Sequence, residues 1–268
     1  MQLSGSSKWL LRLGTALTLA FLYVPLLVIA IYAFNSTRVQ KWPPVGLTFD
    51  WFSRALHNPG VREALLTSVK AGLGATAVAL VLGTMASIAV ARFRFFGREA
   101  VSFLVVLPIA LPGIVTGMAL NSTFTQVLGV SLGLWTIIVG HATFCVVVVF
   151  NNVVARLRRT STSFEEASAD LGANAVQTFR YVLFPLLRSA LVAGALLAFA
   201  LSFDEIIVTT FTLGTGMETL PIWILNNLFR PNQTPVVNVV AAILILVSTI
   251  PVYLAQRLSG DTASGGRL

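Results

Sequence analysis

Residues 164–187, FEEASADLGANAVQTFRYVLFPLL, form a polar island between two long hydrophobic blocks. The stretch reads as helix, glycine break, helix. Ser163 can cap the first helix, with Glu166 reaching back from the third position as a capping box. Gly172 suits the left-handed residue that ends that helix. Asn174 and Gln177 repeat the box for a second helix, which should run to the residue before Pro185. Phe164, Leu171, Phe179 and Leu183 offer an apolar face. A charged segment with this much local design, set between hydrophobic blocks, has to lie outside a bilayer and against some surface.

The blocks around it decide the fold class. The chain has 268 residues, of which 56% are hydrophobic and 10% charged, with a mean hydropathy of +0.85. A soluble domain carries about 25% charged residues, so lipid must solvate much of this surface. Six apolar stretches are long enough to span a membrane: residues 13–34, 71–91, 100–120, 132–155, 188 to about 210, and 236–254. The expected fold is an all-α membrane protein of six transmembrane helices carrying a helix-turn-helix loop at 156–187. A short tail (1–9) should precede the membrane domain (10–257), and a flexible Gly/Ser tail (258–268) should follow it.

The first stretch exceeds the roughly 7–15 residues of a signal-peptide core and lacks an Ala-x-Ala site, so it reads as an uncleaved span kinked at Pro25. Residues 35–69 hold Trp42-Pro43-Pro44, Phe49, Trp51 and Phe52. They read either as a structured loop at the membrane interface or as a plain linker. Residues 71–91 are rich in Gly and Ala and should pack closely. The third span is interrupted by Pro108 and Pro112, and its Gly113 and Gly117 have the spacing of a close helix contact. Pro221 can open a short helix that Pro231 closes.

Six spans put both termini on one side, and the positive-inside rule says which. With the N-terminus inside, the inner segments hold twelve basic residues: Lys8, Arg12, Arg92, Arg94, Arg98, Arg156, Arg158, Arg159, Arg180, Arg188, Arg257 and Arg267. The outer ones hold five, Arg38, Lys41, Arg54, Arg62 and Arg230, with Lys70 at the outer edge of a span. This places the 164–187 segment in the cytoplasm. The net charge of +8 then reflects topology and not nucleic-acid binding.

Asp204 and Glu205 are the acids placed well inside an apolar block, where a charge is costly. They receive a cationic substrate, pair with Lys70 or Arg230, or are simply solvated at the interface. Adjacent helical residues point about 100° apart, so one should face a pathway and the other a neighbour. Phe203 and Trp223 could add cation–π faces. His141, without a second ligand at metal spacing, reads as a hydrogen-bonded packing residue, and the single cysteine, Cys145, as a buried thiol. Gly72-Leu73-Gly74 lacks the lysine of a phosphate loop, and no catalytic triad or metal cluster is visible, so an enzyme is disfavoured. No cofactor is expected.

Glu166-Ala167-Ser168, then Gly172, then Val182-x-Phe184-Pro185 resembles the "EAA" loop of bacterial ABC-importer permeases. Ser168 and Phe184 depart mildly from that pattern. Residues 202–208, SFDEIIV, followed by Leu220-Pro221-Ile222-Trp223, are similar to polyamine (spermidine/putrescine) permeases. The resemblance covers the chain from the first span to about Arg257. It implies a permease of the bacterial inner membrane whose loop docks on a separate ATP-hydrolysing subunit. The candidate coupling residues are then Phe164, Glu165, Glu166, Ala167, Asp170, Leu171, Gly172 and Pro185, and the candidate pathway residues Phe203, Asp204, Glu205 and Trp223. The implied partners are a second permease, an ATPase dimer that binds the ATP, and a periplasmic solute-binding protein. A permease for an opine, organic anion or metal complex is the alternative within the class. A secondary transporter, with Asp204 and Glu205 as proton-coupling groups, would need an inverted repeat that the halves do not display.

Overall fold

The computed structural model describes residues 5–264, and side chains from residue 7 to residue 257. Twelve α-helices follow one another among these residues, and one antiparallel bridge joins Asn35 to Leu47. The helices are α1 (Gly5–Ala33), α2 (Asp50–His57), α3 (Pro59–Arg92), α4 (Arg98–Ala110), α5 (Gly113–Ser122) and α6 (Leu134–Leu157). They continue as α7 (Ser163–Asp170), α8 (Ala175–Thr178), α9 (Phe184–Phe203), α10 (Ile207–Thr212), α11 (Leu220–Asn227) and α12 (Thr234–Ser264). Five helices are long and apolar enough to cross a membrane, and the α4–α5 pair, bent by 103°, brings the number to six if it counts as one broken span.

Several boundaries differ from the sequence expectation. The second span begins at Pro59, ahead of residue 71, because Asn58 Oδ1 accepts the Val61 amide at 3.3 Å and Pro59 sits in the first turn, where its missing N–H costs nothing. The third span breaks at Leu111-Pro112, while Pro108 is accommodated inside α4. The fifth stops at Phe203, short of residue 210. The last helix continues through Ser264, so 258–264 are helical where a flexible tail was expected. Residues 1–4 of the expected N-terminal tail and 265–268, with Arg267, lie outside the described residues.

The described residues fall into two compact units, one running to Arg62 and including Ile224–Leu246, the other taking Glu63–Trp223 and the chain from Val247 on. In the first unit the loop after α1 is structured and not a plain linker. The Trp51 indole donates to Asn35 O at 2.8 Å, Thr48 N–H to Phe34 O at 2.7 Å, and the rings of Phe34, Phe49 and Phe52 pack together. α1 itself is bare, with 6% of its apolar window buried, against 67% for α6.

The core of the second unit forms around α6. Val149, Val153 and Leu157 pack with Ala75 and Ala79 of α3 and with Leu187 and Ala198 of α9. Lipid tails are as apolar as leucine, so close backbone approach drives this association. At Gly83 an added Cβ would meet Val146 O and Val149 Cβ at 3.0 Å, so any side chain there would press α3 away from α6. Ser87 Oγ crosses the same contact to Phe150 O at 3.1 Å. The expected Gly113/Gly117 contact is made with α10, where a Cβ on Gly117 would overlap the Phe211 ring.

Candidate functional sites: the polar hairpin and the acidic break

The hairpin is α7 and α8. Thr162, before α7, already has helical angles, φ −70° and ψ −17°, and its side chain caps nothing. Its carbonyl takes the Glu165 and Glu166 amides at 2.9 and 3.1 Å. The expected Ser163–Glu166 capping box is therefore not formed. The Ser163 hydroxyl turns to Ser161 Oγ at 2.8 Å, and the Glu166 side chain is left exposed.

The turn behaves as read. Gly172 has φ +80°. Its N–H donates to Ala169 O at 2.8 Å, and Ala173 N–H donates to Ser168 O at 3.1 Å, the paired bonds of a Schellman end. Asn174 and Gln177 form the second capping box: Asn174 Oδ1 accepts the Gln177 amide at 2.9 Å and Gln177 Oε1 the Asn174 amide at 2.8 Å. Pro185, however, does not end this arm. Phe179–Leu183 widen into a π-turn in which Phe184 N–H reaches Phe179 O, and α9 continues beyond it. A wide turn beside proline accommodates the missing donor. Residues from Ala175 to Phe203 thus make one 29-residue rod, whose Leu183 and Leu187 are buried in the α6 core. Leu183 belongs to the core and not to the exposed apolar face expected of the hairpin.

Two contacts that sequence reasoning missed hold the hairpin. Arg92, ending α3, donates from Nε to Glu165 Oε1 at 2.7 Å, from Nη1 to Leu157 O at 3.2 Å and from Nη2 to Thr160 O at 3.3 Å. One guanidinium fork thereby satisfies the frayed end of α6 and ties α7 to it. Arg92 and Glu165 are 73 residues apart, so no local pattern could have paired them. Ser168 Oγ meets Thr178 Oγ1 at 3.0 Å and closes α7 on α8. Ser168, one of the two departures from the EAA pattern, thus helps to hold the hairpin closed. Outward it presents Phe164, Glu166, Ala167, Asp170 and Leu171, with Leu171 89% and Phe164 55% exposed.

The second site is a break in the helix. Asp204 and Glu205 lie between α9 and α10 and not within a continuous span. The 100° spacing does not apply to them. Glu205 Oε1 accepts the Val208 amide at 2.8 Å and Glu205 O accepts Thr209 Oγ1 at 2.8 Å, so this acid caps α10. Asp204 is exposed. Among the described residues neither acid pairs with Lys70. His141 spans the break from α6, Nδ1 to Ser202 Oγ at 2.7 Å and Nε2 to Thr209 Oγ1 at 2.8 Å, the packing role expected of it. Phe203 stacks on Phe199 and is 2% exposed, and Trp223 is 4% exposed. Within this chain neither ring offers an open face to a cation. Cys145 is buried, its Sγ 3.3 Å from Ala198 O.

Long apolar helices, a bent span and a helical hairpin continuous with a buried span make this a multi-pass membrane protein. The family described as binding-protein-dependent transport system inner membrane component matches residues 79–262, and the chain belongs to it. It is 34% identical to the spermidine/putrescine transport system permease protein PotC of Haemophilus influenzae over 90% of this chain and 92% of that one. It is 32% identical to the putrescine transport system permease protein PotI of Escherichia coli K12 over 88% of this chain and 87% of that one. A putative 2-aminoethylphosphonate transport system permease protein PhnV of Salmonella paratyphi A is 29% identical over 91% of each. Among solved structures, a chain of a bacterial ABC transporter that imports the acidic polysaccharide alginate superposes with a TM-score of 0.71 at 20% identity, over 97% of this chain and 99% of that one. The all-α membrane fold with a helical hairpin, implied by the resemblance to ABC-importer permeases, is thereby shown.

Proposed function

We propose that this permease forms half of the pathway of an ATP-driven importer for a polyamine of the putrescine/spermidine kind. The observation that carries the mechanism is the unbroken rod from Ala175 to Phe203. The hairpin docks through Phe164, Glu166, Ala167, Asp170 and Leu171 on a separate ATPase subunit. Closure of an ATPase dimer draws two such hairpins together, and each rod carries that displacement to the break at Asp204. Arg92 and the Ser168–Thr178 contact keep the hairpin rigid enough to transmit it. The twelve-to-five distribution of basic residues supports both termini and the hairpin on the cytoplasmic side. ATP stays with the partner, and a second permease completes the pathway. A periplasmic binding protein delivers the solute, a reading supported by the alginate transporter solved in complex with an alginate pentasaccharide-bound periplasmic protein.

The exposed Asp204 at a helix break supports a cationic solute, and both polyamine-named relatives point the same way. An aminophosphonate is the second reading, favoured by the PhnV relative, and it shares the ammonium group that Asp204 would meet. The test is ATP hydrolysis by the purified complex, stimulated by binding protein loaded with putrescine, spermidine, 2-aminoethylphosphonate or an unrelated solute. Stimulation by a polyamine supports the reading. Stimulation by another solute alone sinks the substrate assignment and leaves the architecture standing.

A further inference from the structure

The turn joining α3 to α4 reads Arg92-Phe93-Arg94-Phe95-Phe96-Gly97-Arg98, and Phe93 and Phe96 in it are 61% and fully exposed. Beside it lies a polar cavity of about 280 Å³, lined by Val90 of α3, Arg98, Glu99 and Ser102 of α4, and Arg158 just after α6. Arg98 and Ser102 are half-buried and Arg158 is exposed, and the exposed Arg94 and Arg159 lie close to these residues in sequence. Glu99 is the one acid in the lining, so the cavity keeps a net positive charge. The neighbouring Arg92 is already committed to Glu165. Neither the proposed coupling nor the proposed pathway uses these residues.

The position of the cavity names its ligand. It opens where α3 ends, α4 begins and α6 ends, which is the depth at which lipid headgroups sit beside these spans. Exposed phenylalanines interleaved with arginines suit that boundary, rings in the acyl region and guanidiniums among the phosphates. Arg98 and Arg158 can each present a fork to phosphate oxygens, with the Ser102 hydroxyl as a further donor. We propose that this cavity binds the phosphate headgroup of an anionic phospholipid. The site is one helix-end away from the hairpin, since Arg92 holds Leu157 O, next to Arg158. An occupied cavity therefore steadies the root of the hairpin. The site depends on the membrane fold and not on which solute is carried.

Native mass spectrometry of the full-length chain, released from nanodiscs of phosphatidylglycerol or phosphatidylethanolamine, tests this. The wild type should retain phosphatidylglycerol adducts and few phosphatidylethanolamine adducts. Each arginine near an anionic headgroup is worth about a fivefold change in affinity, so Arg98→Gln with Arg158→Gln should weaken phosphatidylglycerol binding about 25-fold. Arg98→Lys with Arg158→Lys, which keeps the charge, should lose much less, and Arg38→Gln with Arg62→Gln should leave binding unchanged. Equal retention of both lipids, or phosphatidylglycerol adducts indifferent to the Arg98/Arg158 pair, overturns the proposal. Displacement of the lipid by millimolar inorganic phosphate would assign the cavity to a soluble anion and overturn the lipid assignment as well.

Discussion

Replacing Arg92 by Gln should loosen the hairpin without disturbing the membrane core. Three bonds depend on that guanidinium, at 2.7, 3.2 and 3.3 Å, and the two paired side chains are only 10% and 20% exposed. A fully exposed ion pair would be worth about 0–1 kcal/mol, whereas hydrogen bonds to a charged group contribute about 1.5–3 kcal/mol. Partial solvent access places the net loss near the lower end, at about 2 kcal/mol, because Glu165 can turn to water once Arg92 is gone. That corresponds to roughly a 30-fold rise in the undocked population of α7. Hydrogen exchange in the assembled complex measures it directly. Amides of residues 165–173 should exchange roughly 30-fold faster, with α6 and α9 unchanged and solute uptake reduced. Glu165→Gln should show a smaller effect, since Arg92 keeps its two carbonyls. Unchanged exchange across α7 with normal uptake would refute the reasoning that Arg92 stiffens the hairpin.

Three further expectations follow from the same geometry. Gly172→Ala should cost about 1 kcal/mol at its φ of +80° and slow uptake, while Gly172→Pro, which cannot adopt that angle, should abolish uptake yet leave membrane insertion intact, as fractionation and uptake assays would tell. Asp204→Asn should reduce uptake in a complex of normal thermal stability. Glu205→Gln weakens the α10 cap and should lower stability by about 1 kcal/mol in a melt, so equal behaviour of the two variants would contradict the division of roles. His141→Ala leaves the buried Ser202 hydroxyl without its partner and Thr209 with only Glu205 O, and should destabilise by about 1–3 kcal/mol, read as a lower melting temperature in detergent.

What could be read beforehand was what is local. Gly172, the Asn174–Gln177 box and the Pro221 helix start each depend on a few consecutive residues, and each appears where expected. The spans were legible from composition because lipid demands long apolar runs. The start of α3 was also available in Asn58-Pro59, but the charged Arg62, Glu63 and Lys70 obscured it. The remaining differences come from competition between local rules and tertiary contacts. Ser163 would cap a helix beginning after it, but Thr162 already has helical angles, which puts Ser163 inside the first turn. Pro185 would stop a helix in isolation, but Leu183 and Leu187 are held in the core, and a π-turn absorbs the proline. The break at Asp204-Glu205 carries no glycine or proline to announce it. His141, 61 residues before Ser202 in sequence, bridges it from another helix.

If the exposed face of the hairpin meets the ATPase, a cross-linker placed on that face should reach it. Cys145 is the single cysteine and is wholly buried, so Leu171→Cys creates one accessible thiol at a position that is 89% exposed. A photoactivatable maleimide attached there, in the purified and transport-competent complex, should cross-link to the ATPase subunit. The same probe on Trp42→Cys, 70% exposed in the loop after α1, should not. Cross-links from position 171 to lipid alone, or to the periplasmic binding protein, in a complex that still imports its solute would contradict the account.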